Sequence, residues 1–219
     1  MTYVLLVTER AAKGLVMAVI GRPREFDREA ALQSAMLMFW RKGFAATSMN
    51  DLCDAMGIRS PSLYAAFGSK ETLYLEAIEH YARTVGPTIW DKLAAASARD
   101  GVEKMLLAAT EILPETGPIP AGCMAVLGGV GDEWPAAVAD SVKQIRLEMF
   151  GNLQSRLKIA VTDGELPPST DVDHLSRFYL SIVQGMAIQA RDGASSAELK
   201  GVAASAMLAW PGEAYVELP

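Results

Sequence analysis

The sequence predicts an all-α fold, and three observations predict it. Apolar residues recur at three- and four-residue spacings along most of the chain, the period of a helix buried on one face. Many of these stretches open on Ser, Thr or Asp and close on Gly or Pro, residues that start and stop helices. No stretch of useful length alternates apolar and polar residues as a half-buried strand would. With 219 residues, 51% hydrophobic and 21% charged, the composition is that of a folded protein with one large domain or a small one plus a larger one.

Residues 1–20 are apolar but interrupted by Glu9, Arg10 and Lys13, so no uncharged run is long enough to span a bilayer. The order of charges is not that of a secretory signal. The segment reads as an extension without fixed structure, or as sequence upstream of a start at Met17. Helix one is expected from Arg28 to Lys42, capped by Asp27 and stopped by Gly43, with Leu32, Ala35, Met36 and Phe39 facing inward. Thr47 or Ser48 caps helix two, and Ser48 with Asp51 has the spacing of a capping box. Met49, Leu52, Cys53 and Met56 form its apolar face. Gly57 suits a sharp turn and Ile58 fills the corner. Arg59, Ser60, Pro61 and Ser62 open a third helix whose inner side is Leu63 and Phe67. Two short helices around a Gly turn are the layout of a helix-turn-helix, whose second helix offers its N-terminal residues to base edges in the major groove.

Ser69 caps a fourth helix from Lys70 to about Val85, which ends or kinks at Gly86-Pro87. Asp100 is expected to cap a helix ending near Pro114, and Glu115 to Pro120 is a Pro/Gly loop. Gly122 to Val130 reads as a short apolar helix, and Pro135 starts a long one to about Val161. Asp171 caps a helix to about Arg191, and Ser195 with Glu198 boxes a last one that stops at Trp210-Pro211. The total is about nine helices.

Net charge is −6, yet its distribution is uneven. Residues 21–70 hold 7 positive and 5 negative side chains, net +2, whereas residues 71–219 hold 11 and 20, net −9. A mildly basic head on an acidic body would turn the head towards polyphosphate, with salt-dependent affinity. The two cysteines, Cys53 and Cys123, sit in apolar runs, which argues for a reducing, cytoplasmic setting and against a disulfide framework.

The spacing Phe39-x-x-x-Gly43-Phe44-x-x-Thr47-Ser48, then Leu52, Gly57, Leu63-Tyr64-x-x-Phe67-x-Ser69-Lys70-Glu71-x-Leu73, resembles the DNA-binding domain of the TetR family of transcriptional repressors over roughly residues 24 to 85. The run Pro120-Ala-Gly-Cys123, with Leu180, Gln184-Gly-Met and Ala190-Arg-Asp-Gly193, is similar to one subgroup. The resemblance implies a helix-turn-helix domain over 21–85, with the motif at about 47–67. It implies an effector-binding and dimerisation domain over 86–219. The expected function is a repressor, a homodimer on double-stranded palindromic operator DNA, released by a small and largely apolar effector, with no cofactor or metal and no enzymatic activity.

At the start of the third helix the hydroxyls of Ser60 and Ser62 suit base edges or capping, Arg59 suits guanine or phosphate, and Pro61 offers only apolar contact. Tyr64 faces away from the inner side made by Leu63 and Phe67, and the resemblance assigns it to phosphate. Lys70 at a helix N-terminus is unfavourable for the helix alone, which points to a phosphate partner. Thr47 and Ser48 are caps first and phosphate contacts second, and Arg22 and Arg24 form an arm suited to the minor groove or to solvent. Beyond residue 86, Trp90, Met105, Cys123, Met124, Trp134, Met149, Phe150, Tyr179 and Gln184 are candidates for an adaptable apolar pocket. Cys123 also has a reading as a redox or electrophile sensor. Ser181, Ala187 and Ala190, with Ala203, Ala204, Ala206, Met207 and Leu208, are expected to line a four-helix dimer interface. Against an enzyme stand the two distant histidines, His80 and His174, and the lack of any nucleophile-elbow, dinucleotide or Walker pattern. Gly128-Gly129-Val-Gly131 follows no strand and reads as helix packing.

Overall fold

The computed structural model describes residues 26–131 and 134–211. The extension over 1–20 and the arm residues Arg22 and Arg24 lie outside them. Helix α1 (Arg28–Lys42) starts where the Asp27 carboxylate accepts from the Glu29 and Ala30 amides, and stops at Gly43 at φ +79°. Helix α2 (Met49–Met56) carries the Ser48–Asp51 capping box and ends on Gly57 in the left-handed region, φ +65°, which a residue with a Cβ enters only with strain. Helix α3 (Ser60–Phe67) has Arg59 at its N-cap without a side-chain bond and Pro61 in its first turn. Helix α4 (Lys70–Thr84) is boxed by Ser69 and Thr72.

One core holds these four helices. Leu32, Ala35, Met36 and Phe39 of α1 meet Leu52 and Met56, Leu63 and Phe67, and Leu73 and Ala77, all buried. Arg28 braces the bundle from outside, its guanidinium 4.4 Å above the Phe67 ring and 2.6 Å from Glu76 of α4.

A short helix that the spacing did not announce, α5 (Gly86–Trp90), runs into a 3-10 turn at Asp91–Ala94. Helix α6 (Ala98–Ile112) is capped by Ser97, not by Asp100. The Ser97 hydroxyl accepts from the Asp100 amide, so Asp100 sits inside the first turn. Gly101 on α6 lets the 3-10 turn approach: a Cβ there would lie 3.0 Å from the Leu93 carbonyl oxygen. The expected helix over 122–130 contracts to α7 (Met124–Leu127). Gly129 and Gly131 take φ of +67° and +95°, and the chain turns away. Helices α8 (Ala136–Thr162), α9 (Val172–Arg191) and α10 (Ser196–Met207) complete the bundle, with α8 and α10 on either side of α9 and α6 beneath α10. Among the described residues the one β feature is an isolated bridge, Thr116 to Ile119. No helix of the described residues is long and apolar enough to cross a membrane.

Candidate nucleic-acid interface and effector cavity

Helix α3 lies on the head with Leu63 and Phe67 sealed inward and its N-terminal turn outward. Ser60 and Pro61 are exposed, Ser62 is half-buried, and Tyr64 is 49% exposed. The Arg59 side chain is exposed and has no ion pair or hydrogen bond among the described residues. These residues form one outward rim, as the helical period requires.

The flanking positions divide. Lys70 holds its ammonium 4.4 Å over the Phe44 ring, so an aromatic face already partners the charge that the N-terminus of α4 disfavours. Burial pulls this lysine below its ordinary pKa while nearby Asp51 pushes it back. The Ser48 hydroxyl accepts from the Asp51 amide and donates to the Asp51 carboxylate at 2.8 Å, so capping uses its one proton. Asp51 also takes the Lys42 ammonium at 2.7 Å, and that bond together with Ser48 holds its carboxyl well below the usual range. Thr47 corrects the sequence reading. It is 1% exposed and its hydroxyl donates to the Gly43 carbonyl at 2.6 Å, so the side chain closes the α1–α2 turn instead of facing a phosphate.

The candidate pocket residues do not converge on one space. Trp90, Cys123, Met149 and Gln184 line a narrow inner cavity of about 20 Å³. Residues not proposed for the pocket also border it, among them Tyr81 of α4, Val85 after it, Gly86 and Ile89 of α5, and Leu180 and Val183 of α9. Met105 is sealed in the core, and Tyr179 packs on Phe178 and Trp210. Phe150 carries Arg177 over its ring in an outer groove between α8 and α9. Met124 and Trp134 line a separate cavity between head and body. Helical periodicity shows which residues are inside, but not which of them border a void.

Cys123 is buried, and the Tyr81 hydroxyl donates to its sulfur at 3.2 Å. Burial pushes the thiol up, and the Tyr81 bond opposes only part of that shift. His80 is also buried, its Nε2 2.8 Å from Gln33 Oε1 and its Nδ1 3.5 Å from Glu29. His174, on α9, pairs with Asp171. No cluster of metal-ligating side chains occurs among the described residues.

Head and body are fastened at the end of α1, a feature with no signature in the sequence. Arg41 pairs with Glu115 at 2.9 Å and donates to the Pro118 carbonyl at 3.1 Å. Arg191 donates to the carbonyls of Ala121 and Arg41. Trp134 packs against both Phe44 and Tyr74, tilted to the first and edge-on to the second, with ring centroids 5.7 and 5.8 Å away.

The small residues of α9 and α10 need a second correction. Ala187, Ala190, Ala203, Ala206 and Met207 are buried within the protomer, where they let α9 and α10 approach each other and α6. Of the expected set, Ser181, Ala204 and Leu208 remain outside, within a wider exposed stripe. Ala197, Gly201, Ala204 and Leu208 on α10 are exposed, Leu208 by 80%, as are Phe178, Ser181 and Ile188 on α9.

Against known proteins, the family model described as "Bacterial regulatory proteins, tetR family" matches residues 31–77. The HTH-type transcriptional repressor ComR of Escherichia coli (strain K12) is 35% identical over 206 residues, covering 87% of this chain and 92% of the relative. The HTH-type transcriptional repressor BdcR of the same strain is 30% identical over 189 residues, covering 86% and 91%. Among solved structures, a cysteine-substituted form of the TetR family transcriptional regulator CifR, complexed with 26bp double-strand operator DNA, is similar. It has a TM-score of 0.82 and 39% identity, over 87% of this chain and all of that one.

Proposed function

The chain belongs to the tetR family of bacterial regulatory proteins, a family of transcriptional regulators, and from that premise we propose that it is a cytoplasmic homodimeric repressor. In this reading residues up to about Val85 bind a palindromic operator, and the rest dimerises and senses a small, largely apolar effector. The observation that carries it is the rim of α3: Arg59, Ser60 and Tyr64 stand clear of a core that leaves α3 no freedom to turn. Base specificity falls to Arg59, Ser60 and Ser62, with Pro61 and Ala65 adding apolar contact and DNA shape doing the rest. A gel shift against the DNA upstream of the chain's own gene tests the reading. Binding no tighter than to random duplex at the same salt would count against it.

Tyr64 and Lys70 are assigned to phosphate. Tyr64→Phe is expected to weaken binding about tenfold on every sequence alike, the size of one hydrogen bond to a charged group. Lys70→Ala is expected to do the same and to lower the slope of log affinity against log salt by about one. Anisotropy titrations on operator and random duplex at several salt concentrations read both quantities. A changed base preference would show that these residues read sequence.

The inner cavity supports the switching role, because Tyr81, Val85 and Gly86 border it at the end of α4 opposite Lys70. An effector that fits better with α4 tilted would move the head away from its operator spacing. A coupling of about 1–3 kcal/mol would change affinity by roughly 5- to 150-fold. A reactive role for Cys123 has less support, since the thiol is buried and raised.

A further inference from the structure

We propose that the cavity between head and body is a second ligand site, shaped for a small planar aromatic carboxylate. This goes beyond the effector reading of the inner cavity and does not depend on it. The cavity measures about 190 Å³ and is bordered by Phe39 and Trp40 of α1, Tyr74 of α4, and Met124 and Trp134 of the body. A space of roughly 150 Å³ already accepts a benzene ring. Phe39 meets Tyr74 edge to face at 5.0 Å, and Tyr74 meets Trp134 at 5.8 Å and 61°. A flat ring extends that cluster in the geometries aromatic rings prefer.

Two further observations fix the polar end of the ligand. Tyr74 is 1% exposed, yet its hydroxyl has no hydrogen-bond partner among the described residues. Gly128 passes so close that a Cβ there would stand 2.8 Å from the hydroxyl oxygen. Burial raises the Tyr74 phenol well above its ordinary pKa, so it stays protonated and offers a donor that nothing takes. The hydroxyl oxygen is not sealed from the cavity, so an acceptor bound there can take its hydrogen bond.

Among the described residues, two arginines near the cavity carry positive charge that no carboxylate pairs. Arg191 borders the cavity and bonds only to the carbonyls of Ala121 and Arg41. Arg146, whose charge acts on Tyr74, bonds only to the carbonyls of Ala125 and Gly128. Neither arginine has a carboxylate partner among the described residues, whereas Lys42 on the same wall is paired with Asp51. These two charges disfavour a cationic ring and favour an anionic one. A carboxylate accepts from Tyr74 and sits in the field of both guanidinium groups.

Calorimetric titration of the full chain with benzoate, benzyl alcohol and benzylamine tests the site. Benzoate is expected to bind with a millimolar or tighter dissociation constant, benzyl alcohol more weakly, and benzylamine at least about tenfold more weakly. Tyr74→Phe removes only the hydroxyl and is expected to weaken benzoate about tenfold. Arg191→Gln, at an exposed position, gives the same answer if the tyrosine variant fails to fold. Gln184→Leu, in the inner cavity, is expected to leave benzoate affinity unchanged. Benzoate binding absent at tens of millimolar, matched by benzylamine, or abolished by Gln184→Leu would overturn the proposal.

Discussion

Ala204→Glu is expected to leave the chain folded but monomeric, and to lower its affinity for a two-half-site operator by about 10²- to 10⁴-fold. The position is exposed on α10, in the stripe with Ala197, Gly201 and Leu208, so the substitution removes no contact within the protomer. In a symmetric dimer the same stripe of the partner lies opposite, and each subunit would bring a charge into an apolar contact. Like charges that meet in a desolvated interface have neither water nor a counterion, and dissociation relieves them. One head then holds DNA with the affinity of a single half-site, because the second head no longer arrives about 34–36 Å away at high effective concentration. Light scattering and gel shift, run on the same preparation, separate the two effects. A dimer that persists at micromolar concentration would place the interface elsewhere. A monomer with full operator affinity would remove the need for two heads.

Leu63→Ala is expected to cost about 2–5 kcal/mol, the range for a fully buried leucine that leaves a cavity. The functional loss should exceed the loss of stability. Helix α3 is eight residues long and its only buried residues are Leu63 and Phe67. So short a helix does not hold its shape in water by propensity, and packing alone sets its orientation. With Leu63 cut back, Phe67 and the cation above its ring become the main anchors, and the rim of Arg59, Ser60 and Tyr64 loses its fixed direction. Thermal unfolding reads the first effect, and operator binding well below the melting temperature reads the second. Unchanged melting with unchanged binding would show that other contacts hold α3.

Much of the fold was legible because the chain punctuates its helices with chemistry. Asp27 and Gly43 bound α1 where the sequence places them, and Asp171 opens α9. The Ser48–Asp51 and Ser195–Glu198 boxes form as spaced. Where two capping residues compete, as Ser97 and Asp100 do, only tertiary packing decides. The outward face of α3 was legible for the same reason, since two inward residues fix a helix's rotation. Thr47 was not, because a hydroxyl beside a turn serves the turn as readily as a phosphate. The pocket was legible only as composition. Met105 and Met149 look alike in sequence, and they differ in whether a neighbouring helix leaves a gap. Ala187, Ala190, Ala203 and Ala206 proved to face the protomer's own core, unlike Ala204, because close packing within a protomer and between protomers asks for the same small side chains.

The inner cavity holds about 20 Å³, room for roughly one water molecule. An effector larger than that would need this cavity to widen before it could occupy the proposed site. If Tyr81, Trp90 and Met149 must part to admit it, the observed association rate is expected to rise with effector concentration and then level at the rate of opening. Below that plateau the regulator reports how much effector is present. Above it the response would keep its own time, and more effector would not turn the gene on sooner.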